Sequence, residues 1–262
     1  MTNAEVSYAR RGRLGVVTLE RPQMLNALTM TMIAAIEEAA RAAEADPDVA
    51  AICITGAGRG FCAGGDVKTM GERSGAGFEP RARGIQNSNK IPMLMRSIPK
   101  TVIAMVNGAA VGAGLSMALA ADLRVAGKSA KFGTGFLKIG LSGDWGGTWT
   151  LTRLVGTAKA RELYLLGDTI GADEALACGI VNRVAEDADL RDTTMALARR
   201  IAAMPQVAAG YVKRNLFAAE TGDFQTSLDL EAFHQARCSQ TEDHREAVAA
   251  FKEKRRPVFH GR

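Results

Sequence analysis

The chain has 262 residues, 47% of them hydrophobic and 23% charged, which is enough apolar material for one large domain or two small ones. Lys and Arg (33) only modestly exceed Asp and Glu (28), and much of the excess lies in Arg10, Arg11, Arg13 and the tail "FKEKRRPVFHGR", a distribution suited to a small anionic ligand. With 5% aromatic residues and no array of basic and aromatic residues the composition argues against a nucleic-acid partner, and no run approaches the roughly 18 apolar residues of a membrane span.

In chain order, two short β-type runs at 6–9 and 14–19 precede a turn at Arg21-Pro22. The start "MTNAEVSYARRGRLG" lacks the apolar run of a signal peptide, so a cytoplasmic protein is expected. The segment 29–46 places Met32, Ile36, Ala39 and Ala43 on one helical face, with Glu37, Glu38, Arg41 and Glu44 mostly elsewhere. A buried strand follows, "VAAICITG" at 49–56, closed by a Gly-rich loop. The order then repeats: a helix over 81–97, a strand "TVIAMVNG" at 101–108, and a second Gly-rich loop running into the helix start "GLSMALAAD".

Two successive strand, glycine loop and helix units predict an α/β domain with its loops gathered at one end of the strands. No strand is expected beyond residue 186. Helices are predicted over 188–203, 205–219, 224–237 and 241–255, the second headed by Pro205. The division is thus an α/β core at 1–186 and a helical part at 187–262.

Several chemistries fail on spacing. "GAGRGFCAGGD" has Phe61 where a dinucleotide fingerprint needs its third glycine, and Gly127-Lys128-Ser129 lacks the leading glycine of a P-loop because Asp122 stands there. A G-x-S-x-G nucleophile elbow fails at Asp144. His234, His244 and His260 form no H-E-x-x-H, and Cys53, Cys62, Cys178 and Cys238 form no C-x-x-C pair, so no metal site is expected and the thiols read as reduced.

What survives is the pair of loops "GFCAGGD" (60–66) and "GAAVGAG" (108–114). Small residues let a ligand approach the backbone, and a helix start presents free N–H groups. Side by side, the two loops offer two N–H donors to one oxygen, each worth about 3 kcal/mol to a transition state. Read singly, each loop is better taken as a tight strand-to-helix turn.

Taken together, "ERPQMLNAL" (20–28), "GAGRGFCAGGDV" (56–67), "AMVNGAAVGAGLSMALAADLRVA" (104–126), "KFGTGFLKIGLSGDWGGTWTLTRLVG" (131–156) and "AFKEKRRPVF" (250–259) resemble the enoyl-CoA hydratase/isomerase, or crotonase, superfamily over nearly the whole chain. The resemblance implies a spiral of ββα turns with a helical C-terminal trimerisation part, a homo-trimer or hexamer, and an acyl-CoA thioester substrate. It implies no cofactor, CoA being part of the substrate. It places the two oxyanion donors on the N–H groups of Ala63 and Ala113, and channel contacts on Met24, Leu25, Ala27, Gly65, Asp66 and Val67. Phe251 and Lys254 match a pair that reaches CoA from a neighbouring subunit.

The two glutamates with which hydratases of this family activate water are missing. Ser116 and Phe136 occupy their places, and neither transfers a proton as a carboxylate does. Asp144 matches a third position, where ring-epoxide isomerases of phenylacetate metabolism and dienoyl-CoA isomerases carry a proton-transferring aspartate, and a dehalogenase carries a nucleophile. Outside that resemblance, an Asp among glycines reads as a turn or cap residue. Trp145, Trp149 and Phe136 beside it are expected to wall an apolar acyl pocket, with Ser116 a bystander or a substrate contact. The expected function is enoyl-CoA isomerisation by Asp144; hydration, hydrolysis, dehalogenation and non-catalytic acyl-CoA binding are the alternatives.

Overall fold

The computed structural model describes residues 2–3, 5–67 and 77–262. Strands β1 (Thr2–Asn3), β2 (Val6–Arg11) and β3 (Leu14–Leu19) form an antiparallel meander. Helix α1 (Met30–Ala45) begins where the Thr29 hydroxyl accepts the Met32 N–H at 3.0 Å, and it buries the predicted face of Met32, Ile36, Ala39 and Ala43. Strands β4 (Ala51–Gly56) and β5 (Gly60–Cys62) follow, then helices α2 (Phe78–Ser88) and α3 (Lys90–Ser97).

The single helix predicted over 81–97 is therefore two, parted at Asn89. Pro92 has no N–H to offer the carbonyl four residues back, at Ser88, so the helical ladder cannot run through.

The chain continues through β6 (Thr101–Val106), β7 (Ala109–Val111), α4 (Ala113–Ala120), β8 (Leu123–Gly127), β9 (Lys131–Gly133) and α5 (Gly147–Leu166). It then forms β10 (Thr169–Gly171), α6 (Ala172–Ala177) and β11 (Arg183–Ala185). One sheet has the order β1-β2-β3-β4-β6-β8-β11, and its pairs from β3 onward are parallel. The other has the order β10-β9-β7-β5. Each turn of chain gives one strand to each sheet: β4 then β5, β6 then β7, β8 then β9. This is the expected crotonase spiral of ββα units.

Alternate residues of the large sheet face different cores. Val17, Ile52, Ile54, Val102 and Ala104 pack with α1, α3 and α4, while Val16, Cys53, Ile103 and Val125 pack with Leu190, Leu197 and Ala198. Burial on both faces is why these strands read as unbroken apolar runs. The second layer is α7 (Leu190–Ala202), so the division expected at residue 186 separates from the core a helix that covers it.

Three more helices follow: α8 (Gln206–Thr221), α9 (Phe224–Ser239) and α10 (Glu242–Glu253). α8 is pinned to the core by Lys213. Its buried ammonium pairs with Asp122 at 2.8 Å and donates to the Met95 and Lys100 carbonyls at 2.7 and 3.0 Å. No helix among the described residues is long and apolar enough to cross a membrane.

Candidate active site

The loop 20–28 is fastened to the first Gly-rich loop by an asparagine that sequence reasoning passed over. Asn26 is wholly buried; it accepts the Arg21 N–H at 2.9 Å and donates to the Ala57 and Gly60 carbonyls at 3.0 and 2.8 Å. Its φ of 57° and the 49° of Leu25 turn the chain sharply, so that Leu25 packs over Gly60 and Ala27 is buried. Met24 and Leu25 are half-buried at the edge of this turn.

The second segment runs alongside. Ala63 N–H donates to the Leu25 carbonyl at 2.9 Å, Leu28 N–H to Gly64 at 2.7 Å, and Asp66 N–H to Leu28 at 3.0 Å. The expectation that Ala63 supplies an oxyanion donor is thereby corrected, because its N–H is already committed. Gly65, which the sequence placed as a channel contact, carries the N–H that donates to no group among the described residues. Gly64 turns the chain there with φ +93°.

Asp66 also differs from expectation. It is 5% exposed and its carboxylate meets the Arg21 guanidinium at 2.9 Å, so it braces the loop rather than lining a channel. Val67 beside it is exposed.

The second donor loop lies against the first. A methyl built on Gly64 would stand 2.8 Å from the Val111 carbonyl and 3.5 Å from the Ala113 nitrogen. Ala113 is the first residue of α4, where a helix leaves its N–H groups without intrahelical partners. The N–H groups of Gly65 and Ala113, unengaged among the described residues, thus belong to neighbouring turns at the positive end of a helix dipole.

Asp144 sits between β9 and α5 in a loop of unusual backbone. Gly143, Trp145 and Gly146 have φ of 128°, 51° and 69°. The tryptophan accepts this strain because it is 3% exposed and its Nε1–H donates to Ser88 Oγ at 2.9 Å, a wedge driven against α2. The Asp144 carbonyl accepts the Gly147 N–H at 3.0 Å, an ordinary turn bond. Its side chain is not ordinary: Oδ1 is buried with no hydrogen-bond partner among the described residues, and desolvation raises the carboxyl from 3.8 to about 6.

Two unengaged backbone donors on adjoining loops, together with a desolvated carboxylate, suit enolate chemistry on a thioester. A family model described as enoyl-CoA hydratase/isomerase matches residues 10–262. The chain belongs to the enoyl-CoA hydratase/isomerase family. It is 38% identical to a 1,2-epoxyphenylacetyl-CoA isomerase from Escherichia coli over 258 residues, covering 98% of each chain. It is 36% identical to a short-chain-enoyl-CoA hydratase from Clostridium acetobutylicum, covering 96% of this chain and 95% of that one. Among solved structures it is similar to an enoyl-CoA hydratase from Polaromonas sp. JS666, with a TM-score of 0.93 and 34% identity, covering 97% of this chain and 99% of that one.

Within this crotonase-superfamily acyl-CoA enzyme, the remaining predicted residues divide. Phe136 is buried, its ring 3.8 Å from where a methyl on Gly112 would lie, which puts it beside the second donor loop. Ser116 is buried on α4 and donates to the Gly112 carbonyl at 3.3 Å. Trp145 is a core wedge that positions Asp144. Trp149 leaves the group: Arg153 and Arg96 stack on its ring at 3.8 and 4.8 Å, and it lines a separate groove of about 610 Å³ between α5 and α8.

Phe251 is 86% exposed and Lys254 is exposed at the end of α10. The sequence did not single out Tyr164. Its ring lies parallel to Phe136 with centroids 6.3 Å apart, and only the "ARELYLL" register on α5 could have pointed to it. No group of three His, Cys, Asp or Glu among the described residues is arranged to hold a metal.

Proposed function

We propose that the protein is an enoyl-CoA isomerase whose base is Asp144. The ionised carboxylate removes an α or allylic proton from the acyl chain, and the electron pair moves through the double bond into the thioester carbonyl. The N–H groups of Gly65 and Ala113 hold the resulting dienolate oxygen. Protonated Asp144 then returns the proton to the other end of the conjugated system, so the double bond migrates and nothing is added or lost. The thioester is itself the electron sink, so the step requires no cofactor.

The observation that carries this reading is the buried Asp144 oxygen, without a hydrogen-bond partner among the described residues and with its carboxyl raised to about 6, in a site whose two glutamate positions hold Ser116 and Phe136. A base poised near working pH in a water-poor pocket favours proton shuttling over hydration. Hydration is the second reading, favoured by relatives named as hydratases, among them the one from Clostridium acetobutylicum. Assembly as a homo-trimer or hexamer belongs to the same proposal, supported by the exposed apolar side chains of α8 to α10.

The test is turnover of matched 2-enoyl-CoA and 3-enoyl-CoA substrates in heavy water, for wild type and Asp144→Asn. Deuterium incorporation with double-bond migration, abolished by the substitution, is expected. Water addition that survives Asp144→Asn would overturn the assignment and return Asp144 to the role of a turn residue.

A further inference from the structure

The Gly65 N–H is aimed by the peptide unit it shares with the Gly64 carbonyl. In a trans peptide the carbonyl and the N–H point in opposite directions, and the peptides of this stretch are trans. The Gly64 carbonyl accepts the Leu28 N–H at 2.7 Å, so the Gly65 N–H is turned away from the loop 20–28. The Asp66 N–H donates to the Leu28 carbonyl at 3.0 Å, which closes a parallel bridge between Leu28 and Gly65 and stops that unit from rotating.

The same rule carries one unit further back. The Leu28 N–H shares its peptide with the Ala27 carbonyl, and that carbonyl accepts from Nη1 of Arg21. A guanidinium and two peptide units are therefore arranged head to tail: Arg21 donates to Ala27, Leu28 donates to Gly64, and Gly65 presents the N–H that is unengaged among the described residues. Hydrogen bonds in series polarise one another, each strengthening the next by roughly 10–30%, and a bond from an ionised donor is about twice as strong as a neutral one. Ala27 and Leu28 are buried and the Arg21 side chain is 15% exposed, so water screens this row of dipoles little.

Arg21 is itself held in place. Its Nε meets Glu5 at 3.1 Å and its Nη2 meets Asp66 at 2.9 Å, while Glu5 also accepts the hydroxyl of Thr29, the N-cap of α1. Resting on the donor assignment above, we propose that Arg21 is a positioning residue for the oxyanion site: through the Ala27 and Gly64 peptides it aims the Gly65 N–H and puts positive charge behind it, as the dipole of α4 does for Ala113.

The test reads the polarisation of the thioester directly. A conjugated aromatic 2-enoyl-CoA, whose absorption band moves to longer wavelength as its carbonyl is polarised, is titrated into wild type, Arg21→Gln, Asp66→Asn and the double variant. kcat and KM are measured beside it on a 3-enoyl-CoA. The red shift is expected to follow Arg21: largely lost in both variants that lack it, and retained in Asp66→Asn, which breaks the ion pair but keeps the bond to Ala27. The double variant leaves no uncompensated carboxylate at position 66, so it separates loss of polarisation from loss of fold. In both variants without Arg21, kcat is expected to fall on the order of tenfold, less than outright removal of a donor, with KM and the Kd of the chromophore little changed.

A shift lost equally in Asp66→Asn, or retained in either variant without Arg21, would overturn the proposal and leave Arg21 as one half of a structural ion pair. A wild type that binds the thioester with no shift would overturn the donor pair and this role with it. A shift without double-bond migration would remove the isomerase assignment alone and leave the role of Arg21 standing.

Discussion

Asp144 combines two properties that sequence cannot separate, a turn-forming backbone and a desolvated side chain. Burial raises its pKa from 3.8 to about 6, which means the folded chain keeps a proton that the unfolded chain has released between those values. The stabilisation of the neutral form is complete below the unfolded value and is lost as pH rises through the folded one, leaving a buried charge. Asp144→Asn is therefore expected to be more stable than wild type at about pH 8, by about 1 kcal/mol once residual exposure is allowed for, and no more stable at about pH 4. Thermal melts of both proteins at the two pH values check this. Wild-type turnover, which needs the carboxylate, is expected to rise as pH passes through about 6, read from the pH dependence of kcat/KM.

At the scale of elements, the site depends on where α5 begins. The loop 141–146 delivers Asp144 only because Trp145 is driven into the core and Gly147 admits the ends of Ser116 and Tyr164. The expected outcome of Gly147→Ala is a retained fold with poor activity, since its methyl would meet two side-chain hydroxyls rather than backbone. Misplacement of catalytic groups by about 1 Å costs on the order of 10²-fold, so kcat/KM should fall by a similar factor with the circular dichroism spectrum unchanged. Unaltered kcat/KM would show that the hydroxyls have room to yield. The first donor loop obeys the same logic: Asn26, by tying Arg21, Ala57 and Gly60 together, sets where the Gly65 N–H ends up.

For the whole molecule, the contrast is between α7, which completes the core, and α8 to α10 beyond it. Lys213 anchors the first of these three, yet Leu216, Phe224, Phe233 and Phe251 remain exposed at 62%, 79%, 70% and 86%. Exposed large apolar side chains in such number mark a surface made to be covered. Light scattering is expected to return the mass of a trimer or hexamer, and a monomer at micromolar concentration would remove the proposed assembly. The proposed assembly would also set a neighbouring copy against Phe251 and Lys254, the pair to which the family resemblance assigns a CoA contact.

How much of this was legible depends on the range of the interaction concerned. The periodicity of 29–46 and the apolar runs at 49–56 and 101–108 determined α1, β4 and β6, because each is set by local propensity and by which faces are buried. The paired Gly-rich loops marked the donor region, and Asp144 stood out by its setting among glycines. The strands β5, β7, β9 and β10, three residues each, carry no pattern of their own and exist through pairing with distant partners. Which N–H is free was likewise hidden: Ala63 is engaged by Leu25, leaving Gly65, a matter of bonding across 38 positions rather than of residue type. The Ser116 and Tyr164 pair arises from two helices meeting, and the raised pKa of Asp144 from water excluded by the packed chain around it. Local chemistry is written in the order of residues, whereas desolvation and the spending of hydrogen bonds are decided only when the chain folds back on itself.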